Sequence, residues 1–242
     1  MAQSLEIPPE GKFRVSEIYK TIQGESSLVG YPTVFVRLYA CNLRCAWCDS
    51  MHAVEGGEFE EHSVDDVVDR IQELAAGGVH RVCWTGGEPL LQWGAMARAI
   101  EALPPRILHS VETDGEVAIA PLSRALPKQR ETGFLRYIMD VKCPGSGMKA
   151  KMAPENLLHL RGDDEVKFVI LDRADYEFAR DFVKAHRIPA KTILFSPATA
   201  AHKVGAGLDP AALAAWILQD GLDVRLQLQV HKLVWPGKER GI

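Results

Sequence analysis

Short apolar runs alternate with amphipathic segments along most of the 242-residue chain. The runs have the length of buried strands and predict strands at residues 34–38, 79–84, 107–111, 137–141, 166–171, 192–195 and 224–230. Between several of them, apolar residues recur three and four positions apart, which predicts helices at residues 64–76, 91–103, 176–186 and 210–219. Because parallel strands need crossover connections such as helices, this alternation favours an α/β fold with a mainly parallel sheet.

Two of the predicted helices carry clear signals at their start. Ser63 and Asp66 form a capping-box pattern at the beginning of residues 64–76, and Asp209 is placed to cap residues 210–219. Such side chains bind backbone N–H groups that the first helical turn leaves unpaired, so we expect both helices to begin at these caps.

Composition and charge indicate a globular protein. The sequence is 47% hydrophobic and 25% charged, and we expect a single domain over residues 1–242, with a flexible N-terminus at 1–13 and a C-terminal tail at 232–242. No apolar run is long enough to span a bilayer, so we expect no membrane association. The net charge of -4 gives no overall attraction to nucleic acid, which favours a small-molecule substrate.

Three of the five cysteines lie close together. The chain starts without the basic and apolar segments of a secretion signal, so we expect a cytoplasmic protein with reduced cysteines. Cys41, Cys45 and Cys48 are separated by gaps of three and two residues, which lets one short loop wrap three soft thiolates around one inorganic centre. Iron-sulfur clusters that only carry electrons usually have four cysteine ligands. With no fourth cysteine nearby, the spacing favours an open, catalytic iron site.

Two other interpretations of the cysteines are open at this point. His52 follows Cys48 by four residues and would complete a closed Cys3His zinc site. The three thiols could also be unrelated buried side chains. Cys83 and Cys143 are isolated in or next to apolar runs, and we expect both to be small core residues.

The cysteine spacing resembles the signature of the radical S-adenosylmethionine (SAM) superfamily. Gly86-Gly87-Glu88-Pro89, which begins 38 residues after Cys48, is similar to the Gly-Gly-Glu-Pro motif of the same superfamily. One predicted helix and one predicted strand separate the two motifs, so both should emerge at the same rim of a parallel sheet. A doubly wound sheet would also fit the strand pattern, but the resemblance implies a partial, open parallel βα barrel of the radical SAM type, with about six βα units.

Segments along nearly the whole chain, from about Val15 to His231, more specifically resemble the 7-carboxy-7-deazaguanine synthase family. They are Glu-Ile-Tyr-Lys-Thr-Ile-Gln-Gly-Glu at 17–25, Val-Phe-Val-Arg-Leu at 34–38, Cys-Asp-Ser at 48–50, Trp-Thr-Gly-Gly-Glu-Pro at 84–89, Glu-Thr-Asp-Gly at 112–115 and Gln-Val-His-Lys at 229–232. The resemblance implies a carbon-nitrogen lyase that rearranges 6-carboxy-5,6,7,8-tetrahydropterin to 7-carboxy-7-deazaguanine with loss of ammonia, on the route to queuosine and other deazapurines. By the same resemblance, a reduced 4Fe-4S cluster cleaves SAM to a 5′-deoxyadenosyl radical, which takes hydrogen from C6 of the pterin.

The resemblance also implies the residues of the site. Cys41, Cys45 and Cys48 would hold the 4Fe-4S cluster, and Ser50 would ligate a Mg²⁺ ion. The implied cofactor-binding residues are Trp47, Asp49, Gly86, Gly87, Glu88, Glu112, Asp140, Lys142 and Ser196. The implied substrate-binding residues are Ile22, Gln23, Gly24, Glu25, Arg37, Thr85 and His231. No catalytic residue is assigned beyond the cofactor radical.

Arg37 also stands out on physical grounds. It falls on the same face of its predicted strand as Phe35 and Tyr39, so its guanidinium must meet an anion if this face is interior. Leaving that charge buried and unpaired would cost about 3 to 5 kcal/mol. A bidentate contact with the substrate carboxylate would satisfy it, and the alternatives are an internal salt bridge to Glu25 or a solvated position.

The sequence departs from the family at two of these positions. Ser50 stands where the family has threonine, so the hydroxyl is kept but its rotamer is less fixed; alternatively, Ser50 only hydrogen-bonds the loop backbone. Asp140 and Lys142 stand where the family has Ser-Pro-Lys, so only the lysine matches. Glu112 and Ser196 could be ordinary polar strand ends, and a lone histidine such as the one at position 231 could be structural.

The family resemblance further implies a homodimer and an external electron donor, flavodoxin-like or similar. Two alternative functions share part of the pattern. A radical SAM activase that acts on a partner protein would have the same cysteine loop, but it would leave Gln23, Glu25, Arg37 and His231 without a role. A non-enzymatic Cys3His zinc module would depend on His52.

Overall fold

A computed structural model describes residue 8 and residues 11–201, 205–238 and 240–242. Its strands are β1 (Lys12–Ile22), β2 (Pro32–Leu38), β3 (Glu60–Ser63), β4 (Arg81–Gly86), β5 (Leu108–Thr113), β6 (Leu135–Asp140), β7 (Glu165–Ile170), β8 (Thr192–Pro197), β9 (Thr199–Ala201), β10 (Gly205–Gly207) and β11 (Arg225–Leu226). Its helices are α1 (Met51–Val54), α2 (Val64–Ala75), α3 (Trp93–Ala102), α4 (Ala120–Ala125), α5 (Pro127–Glu131), α6 (Arg173–Ala185), α7 (Pro210–Asp220) and α8 (Val230–Val234). Short 3-10 turns lie at Pro89–Gln92, Pro144–Ser146, Lys149–Lys151 and Pro154–His159.

Nine of the described strands form one sheet, in the order β11-β8-β7-β6-β5-β4-β2-β1-β3. Strands β2, β4, β5, β6, β7 and β8 run parallel, and β11 adds a short parallel pairing beside β8. At the other edge, β1 is antiparallel to both β2 and β3. Within the described residues the two edges do not pair, so the sheet is unclosed, which confirms the predicted open, mainly parallel βα barrel.

The apolar runs form strands because both faces of the sheet are covered. Strand β4 is buried at four successive positions, as expected for a strand with helices or loops on either side. Cys83 of this strand and Cys143 are fully buried, which confirms both as core residues. The capping box predicted from Ser63 and Asp66 is present at the start of α2, and this helix buries its apolar face in the same core.

Two predicted elements need correction. Residues 224–230 do not form one strand, because only Arg225–Leu226 pair with β8 and helix α8 begins at Val230. The helix predicted at 91–103 begins earlier, as the 3-10 turn Pro89–Gln92, and continues as α3. Proline at the first position of a helical turn has no N–H to leave unpaired, so the turn begins there.

Strand β1 was not predicted from the pattern of apolar residues. A register shift between Val15 and Glu17 breaks the alternation that would mark a half-buried strand. Strand β1 begins at Lys12, so the predicted flexible N-terminus at 1–13 overlaps the first two residues of this strand. Residues 1–7, 9 and 10 of that prediction lie outside the described residues. Among the described helices, none combines the length and apolarity needed to cross a bilayer.

Candidate active site

A cavity of about 830 Å³ opens at the carboxyl ends of the parallel strands. Every residue that the sequence analysis assigned to the site lines this cavity, with the exception of Glu88. The strand ends of β2, β4, β5, β6 and β8 contribute Arg37, Thr85, Glu112, Asp140 and Ser196, respectively. Segments that are far apart in sequence therefore converge on one space.

The cysteine loop forms one wall of the cavity. Cys41, Cys45 and Cys48 line it and pack with apolar neighbours in a small cluster that is separate from the main core. The loop starts at Ala40, whose φ of 84° is unusual for a residue with a side chain. Two hydrogen bonds hold this turn, from Ala40 N to Ala53 O at 2.9 Å and from Glu88 N to Ala40 O at 2.8 Å.

The three thiols fit an iron-sulfur cluster better than a single metal ion. Each iron of a 4Fe-4S cluster takes one thiolate, so the ligands surround the cluster without converging on one point. A mononuclear zinc site would instead need four converging ligands. No three His, Cys, Asp or Glu side chains in the described part of the chain are grouped in that way, and Nε2 of His52 lies 3.6 Å from Glu17 Oε1. The arrangement therefore does not support a Cys3His zinc site.

The Gly-Gly-Glu-Pro loop packs directly against the start of the cysteine loop. Gly86 has a φ of 134°, and a side chain there would collide with the backbone of Leu38. A side chain at Gly87 would collide with the carbonyl group of Ala40. Because both glycines also line the cavity, they bring backbone atoms close to any ligand next to the cysteines.

Glu88 is the one predicted cofactor-binding residue that does not line the described cavity. It is fully buried behind the cavity wall, and its carboxylate accepts hydrogen bonds from Leu90 N at 2.8 Å, Thr113 Oγ1 at 3.0 Å and Asp114 N at 2.6 Å. Burial and the neighbouring carboxylate of Asp114 raise the pKa of Glu88 well above its usual value. Its side chain fixes the loop, and the loop's cavity-facing surface comes from Gly86 and Gly87.

Asp140 and Lys142 form a buried pair at the end of β6. Lys142 Nζ donates to Asp140 Oδ2 at 2.7 Å, and both residues line the cavity near the cysteine loop. Burial raises the pKa of the Cys45 thiol, and the positive charge of Lys142 opposes that effect. The lysine is thus placed to favour a thiolate at Cys45.

Glu25 is held by residues that are distant from it in the sequence. Its Oε2 accepts hydrogen bonds from Lys167 Nζ and Gln227 Nε2, both at 3.1 Å, and its Oε1 accepts one from Gln229 Nε2 at 2.7 Å. Burial alone would raise the pKa of Glu25, but Lys167 and Gln229 outweigh burial and hold that pKa below its usual value. Glu25 is therefore a charged acceptor, and its ion-pair partner is Lys167 and not Arg37.

Gln23 and Thr85 meet at Glu112. Gln23 Nε2 donates to Glu112 Oε1 at 3.3 Å, and Thr85 Oγ1 donates to Glu112 Oε2 at 3.0 Å. Gln23 is almost fully buried, and its Oε1 accepts the backbone N–H of Glu25 at 3.1 Å. Glu112, which was assigned to the cofactor, thus orders two residues that were assigned to the substrate.

Arg37 is already paired inside the protein. Its Nε donates to Glu17 Oε1 at 2.7 Å, its Nη2 to Tyr19 Oη at 2.6 Å, and its Nη1 to Ser50 Oγ at 3.3 Å. The predicted alternatives, a salt bridge to Glu25 or a solvated side chain, are both wrong. The Ser50 hydroxyl contacts Arg37 and, at 3.2 Å, Asp49 Oδ1, so the prediction that it only binds the loop backbone is also wrong.

The C-terminal segment, defined here as residues 229–238 and 240–242, lines one side of the cavity. Its backbone is tied to the Gln-Gly-Glu loop by Val230 N, which donates to Gly24 O at 3.0 Å. Lys232 Nζ donates to Asp49 Oδ2 at 2.8 Å and to Thr199 Oγ1 at 2.7 Å. A side chain at Gly24 would collide with the ring of His231, so glycine is needed for this close approach. Burial lowers the pKa of His231, which favours its neutral form.

Several cavity residues were missed by the sequence analysis. The list comprises Lys167, Asp114, Thr199, Gln229, Lys232 and Trp235. Lys167 left a signal, because it is a charged residue inside an otherwise apolar strand run. The contacts of Lys232 with Asp49 and Thr199 depend on where helix α8 lies, which the local sequence does not specify.

The sequence of this chain is similar to those of known enzymes. Residues 36–147 match the Radical SAM superfamily. A 7-carboxy-7-deazaguanine synthase from Koribacter versatilis is 43% identical, with 95% of this chain and 100% of the relative covered. A protein of the same name from Chlorobaculum tepidum is 35% identical, with 96% of this chain and 99% of the relative covered.

Two solved structures share the fold. The crystal structure of QueE from Escherichia coli aligns with a TM-score of 0.65 and 19% identity, and covers 90% of this chain and 94% of that one. Streptococcus suis SuiB bound to S-adenosylmethionine aligns with a TM-score of 0.59 and 15% identity, over 78% of this chain and 48% of that one. At these identities the likeness establishes the open βα architecture.

Proposed function

The chain belongs to the 7-carboxy-7-deazaguanine synthase family of the radical SAM superfamily, and from that premise we propose which cavity residues bind the cofactors and which bind the substrate. The protein is a radical SAM carbon-nitrogen lyase that converts 6-carboxy-5,6,7,8-tetrahydropterin to 7-carboxy-7-deazaguanine with loss of ammonia. The 4Fe-4S cluster and SAM, when bound, supply the radical chemistry. The protein residues bind, orient and enclose the reactants.

On the cofactor side, Cys41, Cys45 and Cys48 hold the cluster. The backbone of Gly86 and Gly87 binds the methionyl part of SAM beside it, because both glycines line the cavity and have no side chain that would keep a ligand away from their backbone. A second set of cavity-lining polar and aromatic residues binds the remainder of SAM: Trp47, Asp49, Asp140, Lys142 and Ser196.

On the substrate side, the polar groups match the functional groups of a carboxylated pterin. Glu25 is a charged acceptor for the N–H donors of the pterin, and Gln23 and Thr85 are ordered next to it. Arg37 carries the positive charge for the substrate carboxylate. Ile22, Gly24 and His231 complete this wall, where the C-terminal segment limits the access of water.

Ser50 provides one oxygen ligand to a Mg²⁺ ion that also contacts the substrate. Its hydroxyl faces the cavity between Arg37 and Asp49, and a hard oxygen donor suits Mg²⁺, which keeps several water ligands. We also propose a single domain, a homodimer, a cytoplasmic location and a flavodoxin-like electron donor.

One observation carries this assignment. Polar residues from β1, the loop after it, β2, β4 and the C-terminal segment converge on the same cavity that the cysteine loop lines. A radical activase for a partner protein would have no use for such an enclosed set of small-molecule contacts.

The test is anaerobic incubation of the reconstituted protein with SAM, a reductant and 6-carboxy-5,6,7,8-tetrahydropterin, without any partner protein. Both 5′-deoxyadenosine and 7-carboxy-7-deazaguanine should form. If a protein with full iron content cleaves SAM but forms no deazapurine, the substrate assignment fails.

A further inference from the structure

Glu17 lies directly behind Arg37 in the sheet. The two residues are paired across β1 and β2, and the ion pair from Arg37 Nε to Glu17 Oε1 is 2.7 Å long. Each side chain is only 13% exposed. Arg37 lines the cavity, whereas Glu17 is absent from its described lining, so Glu17 acts on a ligand through the residues it contacts: Arg37 at 2.7 Å and, farther away, His52 at 3.6 Å.

The described contacts of Arg37 leave part of its hydrogen-bonding capacity for a ligand. Glu17 takes the single N–H of Nε, and Tyr19 Oη and Ser50 Oγ accept from the two terminal nitrogens. Each terminal nitrogen carries two N–H groups, so beyond these described contacts one on each remains for a bound carboxylate. Two parallel N–H groups on the terminal nitrogens match the two oxygens of a carboxylate.

We propose that Glu17 is a positioning residue that aims the guanidinium of Arg37 at the carboxylate of the substrate. The proposal rests on the function proposed above, in which Arg37 binds that carboxylate, and adds the residue that orients it. Without Glu17, Nε would lose its anionic partner. Of the described partners, the neutral hydroxyls of Tyr19 and Ser50 would remain, and they fix the orientation of the guanidinium less firmly than a charged acceptor does.

The second oxygen of Glu17 links Arg37 to the C-terminal segment. Gly241 N donates to Glu17 Oε2 at 3.0 Å, and Arg240 Nη2 donates to Ser16 O at 3.4 Å in the same strand. One carboxylate therefore holds both the arginine that binds the substrate and the segment that covers it. Glutamine at this position keeps the shape but loses the charge and one of the two acceptor oxygens.

The experiment compares binding of 6-carboxypterin with binding of pterin, which lacks the carboxylate, to the anaerobic, cluster-loaded protein with SAM present. The wild-type protein should prefer 6-carboxypterin. In Glu17→Gln this preference should fall by about tenfold, since a charge-assisted bidentate contact is lost or misaligned. SAM affinity and iron content should not change. Glu60→Gln, on the neighbouring strand β3 and outside the described cavity lining, is the matched control and should keep the preference.

Glu17→Asp separates positioning from a merely structural role. It keeps the charge but shortens the side chain by one methylene, so we expect it to restore part of the preference that Glu17→Gln loses. It also serves if Glu17→Gln does not fold. The proposal is overturned if the variants that fold keep the wild-type preference. It is also overturned if Arg37→Ala keeps it, because Arg37 would then not be the carboxylate site. A wild-type protein that binds neither pterin would instead refute the proposed function.

Discussion

The residues matched by the superfamily and the stretches that flank them contribute different parts of the site. Residues 36–147 contain the three cysteines, the two glycines of the Gly-Gly-Glu-Pro loop, and Lys142. Most residues assigned to the pterin, together with Lys167 and Gln229 that hold them, lie outside that range. In the proposed function, the matched range thus carries most of the cofactor-binding residues and the flanks carry most of the substrate-binding residues; Arg37 and Thr85 are the substrate-binding residues inside the range.

The two regions are also built differently. The cofactor side uses short local motifs, in which a few neighbouring residues form one loop. The pterin side depends on contacts between residues far apart in the chain, such as Gln229 with Glu25, which are 204 positions apart. We therefore expect substitutions on the two sides to have separable effects on SAM and on the pterin.

The largest effect should come from the cysteine loop. Cys45→Ala removes one of the three cluster ligands, so iron content and formation of 5′-deoxyadenosine should both be lost. Cys143→Ala is the matched control, because this thiol is buried in the main core and outside the cavity. Iron analysis and product assays check both variants. Retention of SAM cleavage in Cys45→Ala would show that the cysteine loop does not hold the cluster as proposed.

The next largest effect should come from Lys167 on the pterin side. Lys167→Met leaves the buried carboxylate of Glu25 without its ion-pair partner, so affinity for the carboxylated pterin should fall by about tenfold to a hundredfold. Affinity for SAM should change little. Lys151→Met, an exposed lysine outside the cavity, is the control. Equal losses of SAM and pterin affinity would show that the two sides are not separable.

A buried histidine in the superfamily core predicts a pH effect on stability. Burial lowers the pKa of His109 to about 3, while the unfolded chain has the ordinary value near 6.5. Between these values the unfolded state binds more protons, so stability is lost as the pH falls. One such group contributes about 2 kcal/mol between pH 7 and pH 5.

His109→Asn tests this effect. Asparagine cannot be protonated in this range and offers an oxygen to Trp84 Nε1, which donates to His109 Nδ1 at 3.2 Å. The variant should be less stable at pH 7, yet it should lose less stability on acidification than the wild type. Denaturant unfolding at pH 7 and pH 5 measures both. An unchanged pH dependence would mean that His109 is not the responsible group.

The smallest effect should come from a helix cap remote from both ligand sites. Asp66→Ala removes one half of the capping box of α2 and should cost about 1 kcal/mol of stability. Asp65→Ala, in the same exposed turn but outside the capping box, should cost less. Neither change should alter the affinity for SAM or pterin. A change in either affinity would show that stability and binding are coupled, so that a change in affinity could not be assigned to the cofactor side or the pterin side alone.

Much of this architecture could be predicted because its causes are local. The apolar runs of β4 to β8 and the Ser63–Asp66 cap depend on neighbouring residues, and the predictions of both are confirmed. Strand β1 could not be predicted, because the register shift between Val15 and Glu17 that breaks its alternation can be identified only from its pairing with β2. The same holds for the pair of Glu17 with Arg37, which depends on strand register. The Gly-Gly-Glu-Pro motif likewise does not say that the side chain of Glu88 points away from the cavity.

The most direct test of the division between core and flanks is to measure SAM and pterin affinities side by side in two variants. Glu25→Gln removes the charge on the pterin side, and Lys142→Gln removes the charge on the cofactor side. With iron content unchanged, Glu25→Gln should weaken 6-carboxypterin by about tenfold or more and leave SAM unaffected, whereas Lys142→Gln should do the reverse. If each variant weakens both ligands to the same extent, the division is wrong.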